Sequence, residues 1–247
     1  MSLKISLNYS PNFNSIKRKK NQVKFLIIHY TGMRSEKGAI KRLTKIQSQV
    51  SAHYLILRNG KIMNLVPDSY IAWHAGVSKW NKFNLLNKYS LGIEITNPGH
   101  QYGYKEFTSK QINSFIKLSK FLIKKYKINK KNVLGHSDVA PYRKKDPGEK
   151  FPWKILSKKK IGIWHNLKNK DLFFNRLKIT SSVEKKLFLN RLKKFGYPLK
   201  TTNQKNDKKN NKLLVKAFQR RYRPELINGI IDKECLIIVS KLTRIKT

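Results

Sequence analysis

Two histidines and one aspartate offer this 247-residue chain its most readable chemistry: His29 in FLIIHYTG (25–32), with His136 and Asp146 in GHSDVAPYRKKDPGEKFPW (135–153). Each alone has an ordinary explanation, since a histidine at a strand end is commonly packed core and an aspartate before Pro147-Gly148 is a common turn residue. Together, two imidazoles and a carboxylate make the three-ligand set of a catalytic zinc, which keeps a fourth position for water. His136 and Asp146 share one loop, close enough to converge, while a distant strand supplies His29. Glu94, in LGIEITNPGH (91–100), stands out because the chain has only 13 acidic residues against 55 Lys and Arg. Strand alternation puts it on the face opposite Ile93 and Ile95. It is either a salt-bridged structural group or a positioned base whose pKa burial would raise. A bound zinc would lower the pKa of its water to about 7 and polarise a carbonyl. Lys144 can donate to an oxyanion; without its motif it would read as a solvated loop lysine between Arg143 and Lys145.

The elements that must position these groups alternate between strand and helix. Val23 to Tyr30 is a continuous apolar, β-prone run, and Lys37 to Ser48 reads as a helix. Ala52–Leu57 and Lys61–Val66 make a hairpin around Asn59-Gly60. Ser90 to Thr96 is a buried strand, and Thr108 with Gln111 forms a capping box opening an amphipathic helix with Ile112, Phe115, Ile116, Leu122 and Ile123 on its buried face. Asn132 to Gly135 is a short strand leading into the Asp146 loop. This order predicts an α/β domain with a mixed central sheet flanked by helices. After residue 178 the pattern becomes helical: Ser181 and Glu184 cap a helix to Phe195 with Gly196 at its C-cap, a polar stretch from Thr201 to Asn211 leads into a helix through Tyr222, and Asp232 caps a last helix to Leu242. The expected division is therefore 1–178 for a catalytic domain and 179–247 for a small three-helix domain. It implies that a chain ending near Ile179 still works on soluble substrate.

The segments FLIIHYTG, SAHYLI (51–56), LGIEITNPGH and GHSDVAPYRKKDPGEKFPW, with AWHAG (72–76), closely resemble the type 2 N-acetylmuramoyl-L-alanine amidase family over about residues 23 to 155. The resemblance implies His29, His136 and Asp146 as ligands of one zinc ion, Glu94 as the acid/base residue and Lys144 as an oxyanion partner. It also makes Tyr54, His74 and Asn97 candidates for substrate contact. The substrate implied is the amide between N-acetylmuramic acid, in ordinary or anhydro form, and L-alanine of peptidoglycan or muropeptides. The C-terminal helices, with FGY (195–197) and AFQRRYRP (217–224), resemble a peptidoglycan-binding module. That order of parts, with IGIW (161–164) at the junction, is similar to the bacterial lipoprotein amidase branch, although no lipobox is present.

Composition narrows the alternatives. A formal charge of +42 suggests attraction to polyanions, but the lysines are spread along the chain and no nucleic-acid motif accompanies them, so no specific nucleic-acid partner is expected. No apolar run reaches the roughly 18 residues a membrane helix needs. With no signal-like N-terminus and a single cysteine, Cys235, the expectation leans to the cytoplasm over the periplasm or envelope, and to a monomer. A non-catalytic recognition protein on the same fold would have lost a zinc ligand; all three candidates are present.

Overall fold

A computed structural model of the chain describes residues 3–200 and 204–245, the side chains of 204–206 excepted. Its centre is a six-stranded sheet of β1 (Ile5–Leu7), β2 (Phe25–Tyr30), β3 (Tyr54–Ile56), β4 (Ile62–Asn64), β5 (Ser90–Ile95) and β6 (Val133–Gly135). They lie in the order β1-β4-β3-β5-β2-β6. Only the β3–β4 hairpin is antiparallel; every other neighbouring pair is parallel, so the sheet is mixed as expected. Phe25, Leu26, Ile27 and Ile28 are all buried. An unbroken apolar run suits a central strand covered on both faces, and β2 sits between β5 and β6.

The described residues also form eight α-helices: α1 (Glu36–Thr44), α2 (Ser109–Tyr126), α3 (His136–Val139), α4 (Trp153–Lys158), α5 (Asn169–Phe173), α6 (Ser182–Phe195), α7 (Gln204–Tyr222) and α8 (Lys233–Thr243). Their starts follow local chemistry. The Thr108 hydroxyl accepts from Gln111 N–H at 3.1 Å while the Gln111 side chain accepts from Thr108 N–H at 2.9 Å, closing the capping box of α2. Phe115, Leu118 and Leu122 form the innermost stripe of α2; Ile112, Ile116 and Ile123 pack at its margin. Ser181 and Glu184 cap α6, and Asp232 caps α8 through Cys235 N–H at 2.9 Å. Gly196 ends α6 with φ +136°, and a side chain there would strike the Trp80 indole. None of the described helices is long and apolar enough to cross a membrane.

Several expectations need correction. β1 was not expected; it extends the sheet at an edge through a parallel pairing with β4. The hairpin closes on a Leu57 N–H to Lys61 C=O bond, so its loop is Arg58 to Gly60 rather than two residues. The first helix stops at Thr44, and Ile46 to Ser48 form a separate 3₁₀ turn. Of the polar stretch 201–211, residues 201–203 lie outside the described residues and the remainder is already helix α7.

Packing is continuous across residue 178. One hydrophobic cluster runs from Val23 through the sheet to Phe188, Phe218 and Leu242. Asp138, on α3 two residues after His136, is the polar centre of the joint. Its carboxylate caps Gly135 N–H at 2.7 Å, accepts from the Tyr197 hydroxyl at 2.6 Å and pairs with Arg221 of α7. Arg221 also donates to Val133 C=O at 3.0 Å and lies 4.0 Å above the Trp153 ring. The segment just before residue 179 belongs with the C-terminal helices: Arg176 binds Glu234 at 2.8 Å, and Leu177 N–H reaches Asp232 at 3.2 Å.

Candidate metal centre and catalytic cleft

Parallel β5, β2 and β6 bring their C-terminal ends to one edge of the sheet, where open α/β sheets place ligands. His29 and Glu94 are register partners near the ends of β2 and β5, and His136 follows β6 directly. The loop after α3 returns Asp146 to the same point, anchored by Ser137 N–H donating to Asp146 C=O at 2.9 Å. His29 Nδ1 lies 2.9 Å from His136 Nδ1 and 3.0 Å from Asp146 Oδ2, and His136 Nδ1 lies 2.9 Å from that oxygen. All three residues are buried.

Hydrogen bonding fixes which ring nitrogens carry protons. The Ser90 hydroxyl donates to Leu86 C=O at 2.6 Å, so its oxygen is free to accept from His74 Nε2 at 3.1 Å. His74 Nδ1 must then accept, and it lies 3.0 Å from His29 Nε2. That assigns the proton of the neutral His29 ring to Nε2 and leaves Nδ1 with a bare lone pair. His136 Nε2 faces Ala75 C=O at 3.1 Å, which can only accept, and the nearby Arg143 Nη2 directs its hydrogens at the Ala75 and Val77 carbonyls, so in the neutral ring His136 Nδ1 is bare as well. Two nitrogen lone pairs and a carboxylate oxygen thus converge with no proton between them, an arrangement that a cation resolves. Tetrahedral zinc with N and O ligands at its usual bond lengths sets neighbouring ligand atoms roughly 3.3 Å apart, within a few tenths of an ångström of the observed spacing. The donor set fits zinc.

The surroundings tune the same groups. Burial, then the neighbouring His136, pushes His29 down to about 4, so its ring is neutral at neutral pH, the form that ligates. Burial alone would raise the Asp146 carboxyl, but His136 and His29 beside it hold it well below the usual carboxylate range. Glu94 is pushed up to about 8, first by burial and then by the negative charge of Asp146, with Lys144 and Arg42 pulling the other way. Glu94 is partly exposed as a residue, yet its Oε2 is buried without a hydrogen-bond partner. Glu94 and Lys144 line the same ≈ 630 Å³ cavity as His29, His136 and Asp146.

The remaining candidates divide. His74 lines the cavity, but both its ring nitrogens are engaged, one on His29 and one on Ser90. It is placed to brace a ligand rather than to grip a sugar or peptide. The ring packs against β5 so closely that a side chain at Gly92 would overlap it, which accounts for a glycine in a central strand. Tyr54 is a correction: it lies away from the cavity, and its hydroxyl donates to Asp68 at 2.6 Å in a cluster with Lys125 and Tyr126. Asn97 does not line this cavity; its amide donates to Lys105 C=O at 2.7 Å and its oxygen accepts from Gly99 N–H at 3.0 Å, bracing a loop. His100, which carried no signal in the sequence, lines the cavity and links the Tyr30 hydroxyl at 2.8 Å to Glu149 at 3.0 Å. Its nearness to Pro98-Gly99, in a loop directly after a ligand-bearing sheet edge, was the available hint.

Comparison with known proteins identifies the family. The profile described as N-acetylmuramoyl-L-alanine amidase matches residues 19–149. The chain is 35% identical to the N-acetylmuramoyl-L-alanine amidase AmiD of Escherichia coli over 233 residues, 90% of this chain and 82% of that protein. The solved structure of E. coli AmiD with anhydro-N-acetylmuramic acid-L-Ala-D-gamma-Glu-L-Lys has a TM-score of 0.77 at 33% identity, covering 90% of this chain and 88% of that one. AmpDH3 from Pseudomonas aeruginosa, in complex with anhydromuramic pentapeptide, has a TM-score of 0.77 at 32% identity, covering 92% and 94%. A matched sequence profile, a relative that is 35% identical over 90% of the chain and a shared fold place this chain in the type 2 N-acetylmuramoyl-L-alanine amidase family.

Proposed function

We propose that this protein is a zinc amidase that hydrolyses the bond between the lactyl group of N-acetylmuramic acid, or its anhydro form, and L-alanine of the peptide stem. The observation that carries the reading is the convergence of three buried ligand atoms, from two histidines and an aspartate, beside a buried Glu94 oxygen that has no hydrogen-bond partner. His29, His136 and Asp146 would hold one zinc ion. When bound, the metal supplies Lewis-acid polarisation of the scissile carbonyl and a water of lowered pKa. The protein's part is then acid–base and electrostatic. Glu94 accepts a proton from the attacking water and returns it to the leaving nitrogen of L-alanine, a shuttle favoured by a pKa raised well above the ordinary carboxylate value. Lys144, whose charge acts on both His29 and Glu94, donates to the developing oxyanion. His74 and Ser90 fix the plane and tautomer of His29.

The purified protein should hold about one zinc per chain. Metal analysis of wild type, His29→Ala and Asp146→Ala tests this, and full zinc occupancy in both variants would reject the ligand set. Lys144→Ala should lower kcat more than it raises KM, because its contact strengthens as charge develops on the carbonyl oxygen. Steady-state kinetics showing a change confined to KM would make Lys144 a clamp on bound substrate instead.

A further inference from the structure

Beside the metal cleft, and joined to it through His100, Lys144 and Lys145, lies a second groove of ≈ 450 Å³. One wall is the loop after α3. The other is α7 of the C-terminal helices, which contributes Leu213, Lys216 and Arg220. Arg143, Lys144, Lys145, Lys216 and Arg220 line it against one carboxylate, Glu149. The Arg143 guanidinium is already bound to the carbonyls of Ala75 and Val77, and Glu149 is held by His100 at 3.0 Å.

Arg220 is the feature left over. It is only 8% exposed, yet its buried Nε has no hydrogen-bond partner, and the nearest carboxylate, Glu149, is 3.7 Å away. Arg220 thus meets Glu149 through Nε at ion-pair distance without a hydrogen bond, and the rest of its guanidinium fork is what a ligand in the groove would engage. The planar fork of arginine matches a carboxylate oxygen for oxygen.

We infer that this groove is a carboxylate subsite for the peptide stem, with Arg220 as its principal contact and Lys216 and Lys145 flanking it. The inference rests on the amidase reading, because continuity with the metal cleft is what assigns the groove to the stem beyond L-alanine. Such stems carry suitable groups. In the tripeptide of the AmiD complex, γ-linkage of D-Glu leaves its α-carboxylate free, and the L-Lys carboxylate ends the chain. The C-terminal helices therefore form one wall of the substrate path.

The test uses the zinc-loaded full chain and three substrates: MurNAc-L-Ala-D-γ-Glu-L-Lys, the same molecule with the D-Glu α-carboxyl as carboxamide, and the same molecule with the L-Lys carboxyl as carboxamide. Wild type should cleave the free acid with kcat/KM roughly 10- to 100-fold above one of the two amides, the effect of a charge-assisted hydrogen bond. The disfavoured amide identifies the carboxylate. In Arg220→Gln that acid-over-amide ratio should fall towards 1, Arg220→Lys should keep part of it, and Lys216→Gln should reduce it without disturbing the buried arginine. Equal kcat/KM for all three substrates in wild type would overturn the subsite while leaving the amidase intact, as would an equal loss on all three in both the Arg220→Gln and Lys216→Gln chains. Failure of wild type to cleave any of them would overturn the amidase reading and the subsite with it.

Discussion

Replacing Glu94 with glutamine should leave zinc content and thermal stability close to wild type and lower kcat by roughly 10²–10⁴-fold, the usual worth of a positioned general base. The substitution keeps the shape of the side chain and removes its capacity to take a proton. Stability should hold because Oε2 of Glu94 makes no hydrogen bond that the amide would break. A neutral side chain is also easier to bury than a carboxylate, and burial is the leading cause of the raised Glu94 pKa. Turnover within a factor of a few of wild type, on a muropeptide and at equal zinc loading, would remove Glu94 from the mechanism.

Arg221→Met should cost about 3–5 kcal/mol of stability, the usual penalty for removing one partner of a buried ion pair. For a chain of this size that corresponds to a fall in Tm of roughly 6–20 °C. The variant strands Asp138, which is 1% exposed and follows His136 by two residues. Adding Asp138→Asn to Arg221→Met should recover part of the loss, because an amide left without arginine is less costly to bury than a carboxylate. The same joint decides what truncation does. A chain ending at Ile179 loses Arg221 and Tyr197 from Asp138, and uncovers the part of the core that Phe188, Phe218 and Leu242 close. Such a fragment should be insoluble or lack a cooperative melt. A soluble 1–179 fragment with wild-type specific activity would contradict the shared core and restore the simpler picture of two separable domains.

What could be read from sequence depended on how far the information had to travel. The β2 run, the caps at Thr108, Ser181 and Asp232, and the Gly196 stop are local chemistry, and the structure has each of them. The metal candidates were legible because His136 and Asp146 share one short loop and because the motifs carrying His29 and Glu94 resemble those of the amidase family. Side-chain roles that depend on packing were not. Alternation separates His53 from Tyr54, but only the strand order shows that Tyr54 goes to Asp68 while the His53 ring packs 5.6 Å from that of His74. His74 read as a substrate contact because nothing local shows the histidine and serine on either side of it. The Arg221–Asp138 pair spans 83 residues of sequence, and no periodicity or cap signals a contact of that kind.

The central claim is that this chain cuts one particular amide by adding water across it. Digestion of anhydro-MurNAc-L-Ala-D-γ-Glu-L-Lys in ¹⁸O-labelled water, followed by mass spectrometry, tests that most directly. The expected products are the free tripeptide with a new amino terminus on L-alanine and anhydro-MurNAc carrying one ¹⁸O in its lactyl carboxylate, formed by zinc-loaded protein and lost after chelation. Label on any other atom, cleavage between L-Ala and D-Glu, or an undiminished rate in the chelated protein would contradict it.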